Sequence, residues 1–295
     1  MLCGCAWFTV MALLTEALGH RHCPWQVVAL ARSGLATLFA LLLAAGTGTR
    51  LVLFRPRVLW VRSLAGSTSM LGTFYALTHM PASDVLTITN TFPVWVAVLS
   101  WPLAGERPTA GVWVAVACAV TGVAVALRPA GGGFPWVPSL SAFFASVFTA
   151  VAMLGLNRLH GVASLAVVVH FSAVSAAFAG AALLVGRLVV VPDDAGAGPD
   201  PWPTLLRLLG VGATATVGQV FLTRAFATGA PTKVAVTGLS QVAMVLGCEA
   251  ALGWKPVTPT TVLGTALVIG PTAWLMAHER RVAKDDPPVE EVAIE

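Results

Sequence analysis

The sequence predicts an all-α polytopic membrane protein of ten transmembrane helices, arranged as two inverted five-helix repeats. Three observations lead there. Ten runs of about twenty apolar residues follow one another, each able to cross a hydrocarbon core of roughly 30 Å as a helix. Hydrophobic residues make up 57% of the 295 and charged residues only 10%, with a mean hydropathy of +0.84. In water such a chain has apolar surface and nothing to cover it, so lipid is its solvent. Third, the two halves resemble each other where the third span meets the fourth and the eighth meets the ninth.

The expected spans cover residues 2–19, 25–46, 58–79, 84–104, 110–128, 136–157, 163–186, 204–226, 232–253 and 258–277. Turn chemistry separates them. Pro24, Met80-Pro81, Gly105-Glu106-Arg107-Pro108, Gly131-Gly132-Gly133 and Gly253-Trp254-Lys255-Pro256 mark helix boundaries. The stretch from Pro192 to Pro203 is acidic and rich in Gly and Pro, and reads as an exposed loop. No room is left for a soluble domain. The first run, Leu2 to Leu18, is at the lower limit for a span and lacks a basic leader, so a few preceding residues are expected.

Ten spans put both termini on one side of the membrane. Arg50, Arg55, Arg57, Arg62, Arg107, Arg158, Arg224, Lys233, Arg280, Arg281 and Lys284 fall on that side. Arg21, Arg128, Arg187, Arg207 and Lys255 fall opposite, and Arg32 lies within a span. The positive-inside bias therefore predicts cytoplasmic termini in the inner membrane. The seventeen Lys and Arg set topology and form no basic run interleaved with aromatics, which excludes nucleic acid as a partner. The five cysteines are scattered without a His or Cys cluster, so no metal and no cofactor is expected.

The duplication aligns Ala76 to Val85 with Ala225 to Val234, and places Gly105-Glu106-Arg107-Pro108 near Gly253-Trp254-Lys255-Pro256 at almost the same offset. Five spans per copy is odd, so the second copy is upside down relative to the first. Such repeats build alternating-access carriers with a site near the midplane. The expected units are residues 1–130 and 131–284, followed by a disordered cytoplasmic tail at 285–295.

Several residues of the first copy carry a family resemblance. Arg62, Tyr75-Ala76-Leu77, Pro93 and Leu103-Ala104-Gly105-Glu106-Arg107 resemble the EamA-like branch of the drug/metabolite transporter superfamily, and Gly122 and Gly264 match its small-residue fifth and tenth spans. The resemblance implies ten helices around a central cavity and export or exchange of a small solute. The second copy departs from the pattern, with no Pro opposite Pro93 and Lys255-Pro256 in place of Gly-Glu.

Polar stripes at helical spacing mark candidate cavity walls. Thr87, Asn90 and Thr91 stand at i, i+3 and i+4 in the fourth span, and Thr237, Ser240 and Gln241 repeat that spacing in the ninth. Thr216, Gln219 and Thr223 share a face of the eighth; Ser69 and Thr73 share one of the third, beside Tyr75. For a single hydroxyl the plainer role is a hydrogen bond between helices. Asn90, Gln219 and Gln241 are harder to satisfy that way. Trp95 and Tyr75 would add aromatic contact to a solute.

Charges within spans are costly and need partners. Glu16, Arg32 and Glu249 all fall in the outer half, where a cluster of two acids and one Arg would form if these helices meet. The alternative has both acids snorkelling to headgroups while Arg32 bonds carbonyls or phosphate. His170, two turns into the seventh span, is either a hydrogen-bonded packing residue or a proton relay. Small-residue stripes such as Cys118, Gly122 and Ala126 allow close packing within one chain or between two, so a homodimer joins the small-molecule solute and membrane lipid among expected partners. Pro93 and Pro102 are expected to kink the fourth span.

These features read together as a secondary transporter of a small organic metabolite or drug-like solute, an exporter working by alternating access. A non-transporting membrane scaffold or sensor is the rival reading. An intramembrane enzyme ranks third: Gly238-Leu239-Ser240 has a Gly-x-Ser spacing, but the next histidine, His278, lies beyond the last span.

Overall fold

The computed structural model describes residues 1–104, 110–126, 135–159, 161–189, 201–228, 238, 240–254 and 258–285. These residues are helical without strands. In chain order the helices are α1 (Leu2–Gly19), α2 (Trp25–Thr47), α3 (Arg57–Leu77), α4 (Ala82–Thr89), α5 (Phe92–Ala104), α6 (Ala110–Ala126), α7 (Trp136–Asn157), α8 (Ser164–Val189), α9 (Pro201–Thr228), α10 (Ser240–Ala251) and α11 (Pro259–Asp285). Five apolar stretches among them, Leu2–Gly19, Trp25–Thr47, Trp136–Leu156, Ser164–Gly186 and Pro201–Ala225, are long enough to cross a membrane.

Local chemistry sets the boundaries. Pro24, Pro56, Pro81 and Pro135 each precede a helix, where the missing N–H costs nothing. Gly48 ends α2 in the left-handed region, and the Thr49 N–H reaches back to the Ala44 carbonyl at 3.0 Å. Gly253 does the same after α10, with the Trp254 N–H on the Glu249 carbonyl at 3.0 Å.

The fourth expected span is not one kinked helix but two helices, α4 and α5, broken at Asn90-Thr91. Pro93 has no N–H to offer the Thr89 carbonyl and does not continue the ladder, while two side chains add bonds to carbonyls near the end of α4. Asn90 Nδ2 donates to the Leu86 carbonyl at 2.8 Å and Thr91 Oγ1 to the Ile88 carbonyl at 2.7 Å. The last helix also runs past the expected end at residue 277, to Asp285. The 192–203 loop, the 285–295 tail beyond Asp285 and the turn glycines at 131–133 fall almost wholly outside the described residues.

Lipid reverses the usual packing rule: small residues face in and large ones out. On α2, Ala29, Ser33, Ala36, Ala40 and Ala44 are buried while Leu38, Leu42 and Leu43 face outward. The buried stripe lies on α8, where Val168 and Val169 meet Ala40 and Ala44. Gly122 of α6 lies so close to α11 that a Cβ would stand 2.7 Å from the Gly264 carbonyl oxygen. Other neighbours include α1 with α9 and α10, α2 with α9, α3 with α7 and α8, and α4 with α10; α4 and α5 lie on α7.

α3 is the exception that locates the site. It carries Ser63, Ser67, Ser69 and Thr73 along its length, yet it is packed against α1, α2, α4, α7 and α8. A polar helix in that position has a face that is neither lipid nor core.

Candidate functional site

A cavity of about 220 Å³ opens along that face. Arg62, Gly66, Ser69, Met70, Thr73 and Phe74 of α3 wall it, a continuous helical stripe at i, i+4, i+7, i+8, i+11 and i+12. Facing them are Arg32 of α2, Asn90 at the α4–α5 break, Thr149 of α7, Phe171 of α8, Gln219 of α9 and Gln241 of α10. Both halves of the chain thus contribute walls.

The amides expected to face a cavity, Asn90, Gln219 and Gln241, all line this one. Asn90 spends one N–H on its own helix, and Gln219 Nε2 lies 3.5 Å from Thr223 Oγ1. The hydroxyls do otherwise. Thr87 Oγ1 donates to the Ser83 carbonyl at 2.7 Å, and Thr91 Oγ1 also reaches Ser146 Oγ on α7 at 3.1 Å, so both bind helix rather than cavity. Neither is among the lining residues, nor are Ser240, which meets the Cys5 thiol, Tyr75 or Trp95. Tyr75 is half-buried between Trp25, 5.6 Å away, and His79, 4.4 Å away; Trp95 lies edge-on to Phe143 at 5.3 Å. Thr237 lies outside the described residues.

The charges are arranged differently from the expected cluster. Among the described residues Arg32 meets neither Glu16 nor Glu249. Its Nη1 instead lies 3.2 Å from the Met70 sulfur, a weak acceptor, and its guanidinium carbon is 5.3 Å from the Phe171 ring centroid. Arg62 lies over the same ring at 4.0 Å. Both arginines are buried, 4% and 2% exposed. The acids go to α4. Glu16 Oε2 accepts from the Ala82 N–H at 3.2 Å and Glu249 Oε1 from the Ser83 N–H at 2.8 Å. Glu249 is fully buried and Glu16 nearly so, with Glu16 Oε1 also 3.6 Å from His20 Nε2; both acids sit on the positive end of a helix whose first-turn N–H groups need acceptors.

His170 stands beside the site. Its Nε2 lies 3.1 Å from the Leu53 carbonyl, so that nitrogen donates, and Nδ1 accepts from Ser63 Oγ at 2.8 Å. Trp60 packs edge-on at 4.8 Å. Both ring nitrogens are thus satisfied, and the imidazole ties α8 to α3.

Arg62 is the cavity residue that the sequence reading placed elsewhere, as a marker of topology near the cytoplasmic end of its span. The signal was present: Arg62, Gly66, Ser69 and Thr73 share one face.

Comparison with known proteins agrees with this architecture. A crystal structure of a protein with 19% sequence identity superposes with a TM-score of 0.63, covering 94% of this chain and 96% of that one, which shows a shared fold. Two curated relatives, the pseudopaline exporters CntI of Pseudomonas aeruginosa strains UCBPP-PA14 and PAO1, are each 28% identical over 235 residues, 78% of this chain and 78% of theirs. The profile of the EamA-like transporter family matches residues 1–128, from α1 to just beyond α6. The chain is an integral membrane protein whose residues 1–128 match the model of the EamA-like transporter family.

Proposed function

We propose that this protein is a secondary carrier that exports a small organic metabolite from the cytoplasm by alternating access. One observation carries the reading: a cavity walled by helices of both halves, mostly apolar in its lining, with the amides of Asn90, Gln219 and Gln241 among its few polar groups. The named relatives are exporters, which supports the direction of transport. The two units are residues 1–130 and 131–284, inverted relative to one another. Helix neighbours support a two-fold relation between the units. Exchanging the halves in order turns the α3–α7 contact into α9–α1, α2–α9 into α8–α3, and α7 with α4 or α5 into α1–α10, while α2–α8 and α6–α11 map onto themselves. A packed scaffold has no need of such a cavity.

Purified protein in liposomes, offered a metabolite panel with and without a pH gradient, tests the reading. Saturable movement of at least one solute is expected, and no movement above protein-free vesicles across the panel would refute it. Orientation is tested separately. With cytoplasmic termini, Arg21→Cys in a background stripped of native cysteines should react with an impermeant maleimide in intact cells, and Arg158→Cys only after permeabilisation. Both positions are exposed. The reverse pattern would invert the topology.

A further inference from the structure

We infer that the cavity binds an organic anion of the carboxylate class, with Arg32 and Arg62 as its counter-charges; this rests on the carrier reading and names its substrate class. The two guanidiniums flank one Phe171 ring inside the membrane-spanning bundle and line the same cavity. Among the described residues no carboxylate lines that cavity, and the nearby acids Glu16 and Glu249 are engaged at the α4 N-terminus.

Several donors of these two guanidinium groups are unspent. Arg32 Nε, Arg62 Nε and Arg62 Nη1 are buried without a hydrogen-bond partner, and Arg32 Nη1 has only a thioether sulfur. Two like charges in a low-dielectric site repel each other, and each lacks the pairing a buried ion requires. Cation–π contact with one phenyl ring offsets part of that cost at most. An anion between them repairs both faults at once. A guanidinium presents a planar fork that matches two acidic oxygens, so a carboxylate fits the donor geometry. The amides of Asn90, Gln219 and Gln241 then serve the polar body of the solute. The volume, equal to about seven waters at roughly 30 Å³ each, suits a small acid in this conformation.

Thermal unfolding of the purified wild-type protein tests this without transport. Succinate and citrate should raise the midpoint saturably; succinamide and 1,4-diaminobutane, at matched ionic strength, should not. Arg32→Gln and Arg62→Gln should weaken the apparent affinity at least about tenfold, the size expected for loss of a charge-assisted hydrogen bond. If either variant misfolds, Arg32→Lys and Arg62→Lys keep the charge without the fork, and should respond to succinate with weakened affinity. No shift with any carboxylate overturns the inference. So does stabilisation by glycerol phosphate or phosphatidylglycerol alone, which would make the ligand a phosphate or a lipid headgroup. In liposomes, movement of neutral or cationic solutes but not of succinate or citrate leaves the carrier standing and the inference refuted. Carboxylate binding with no transport of any solute does the reverse.

Discussion

Gly66→Leu is expected to reduce transport at least about tenfold while leaving a folded protein. Gly66 sits in the middle of the α3 stripe, and a Cβ there would stand 2.5 Å from Arg62 Nη1 and 2.8 Å from Phe171 Cε2. Both atoms are the far ends of side chains that line the cavity, so they move before the backbone does. The displaced guanidinium and ring, and the added isobutyl group itself, then occupy solute volume. Overpacking typically costs about 1–3 kcal/mol, and a share of even 1.4 kcal/mol falling on the bound state is tenfold in affinity. Gly46→Leu is the control, because nothing lies within 4 Å of its Cβ and the residue is exposed. Liposome flux of the two variants, beside their unfolding midpoints, decides the matter. Equal flux in both would mean that solute does not pass this cavity.

The contrast between Gly66 and Gly46 also marks how far a sequence can be read. Helix ends were legible because they depend on local chemistry: Pro24, Pro81 and Gly253 act within a few residues of where they stand. The three amides were legible for a related reason. A primary amide at membrane depth has few means of satisfying itself, so a cavity is its natural neighbour. Thr87 and Thr91 show the limit of that logic. A threonine on the same stripe closes a bond to the carbonyl three or four residues behind it and needs no cavity.

Charge partners were the illegible part, since they depend on which helices meet. Arg32 and the two acids share a depth, and depth is all that hydropathy reports. Packing α1 and α10 against α4 gives both acids the backbone N–H groups of α4 instead of the guanidinium. Arg62 was hidden by position: a residue near the end of a span serves topology as readily as chemistry, until the fold shows it lying over Phe171.

The second large effect is expected at that α4 N-terminus. α4 has eight residues and is followed directly by Asn90, so whatever holds its start also sets a wall of the cavity. Glu249 is fully buried and accepts the Ser83 N–H through Oε1, while its Oε2 has no hydrogen-bond partner. Two effects therefore compete. The carboxylate satisfies a first-turn N–H and lies on the positive end of the helix, yet it is an ion held away from water. Because no water replaces a lost acceptor there, the hydrogen bond should dominate. Glu249→Gln keeps an oxygen for Ser83 and gives up only the charge–dipole attraction, about 0.3–1 kcal/mol. Glu249→Leu removes the acceptor itself and should lose about 1–3 kcal/mol. Unfolding midpoints in detergent should therefore fall in the order wild type, Gln, Leu. Combining Glu249→Leu with Glu16→Gln should be non-additive, since both carboxylates bind adjacent N–H groups of one short helix. A Leu variant as stable as the Gln variant, or more so, would mean that desolvation outweighs the cap and that Glu249 is retained for something other than holding α4.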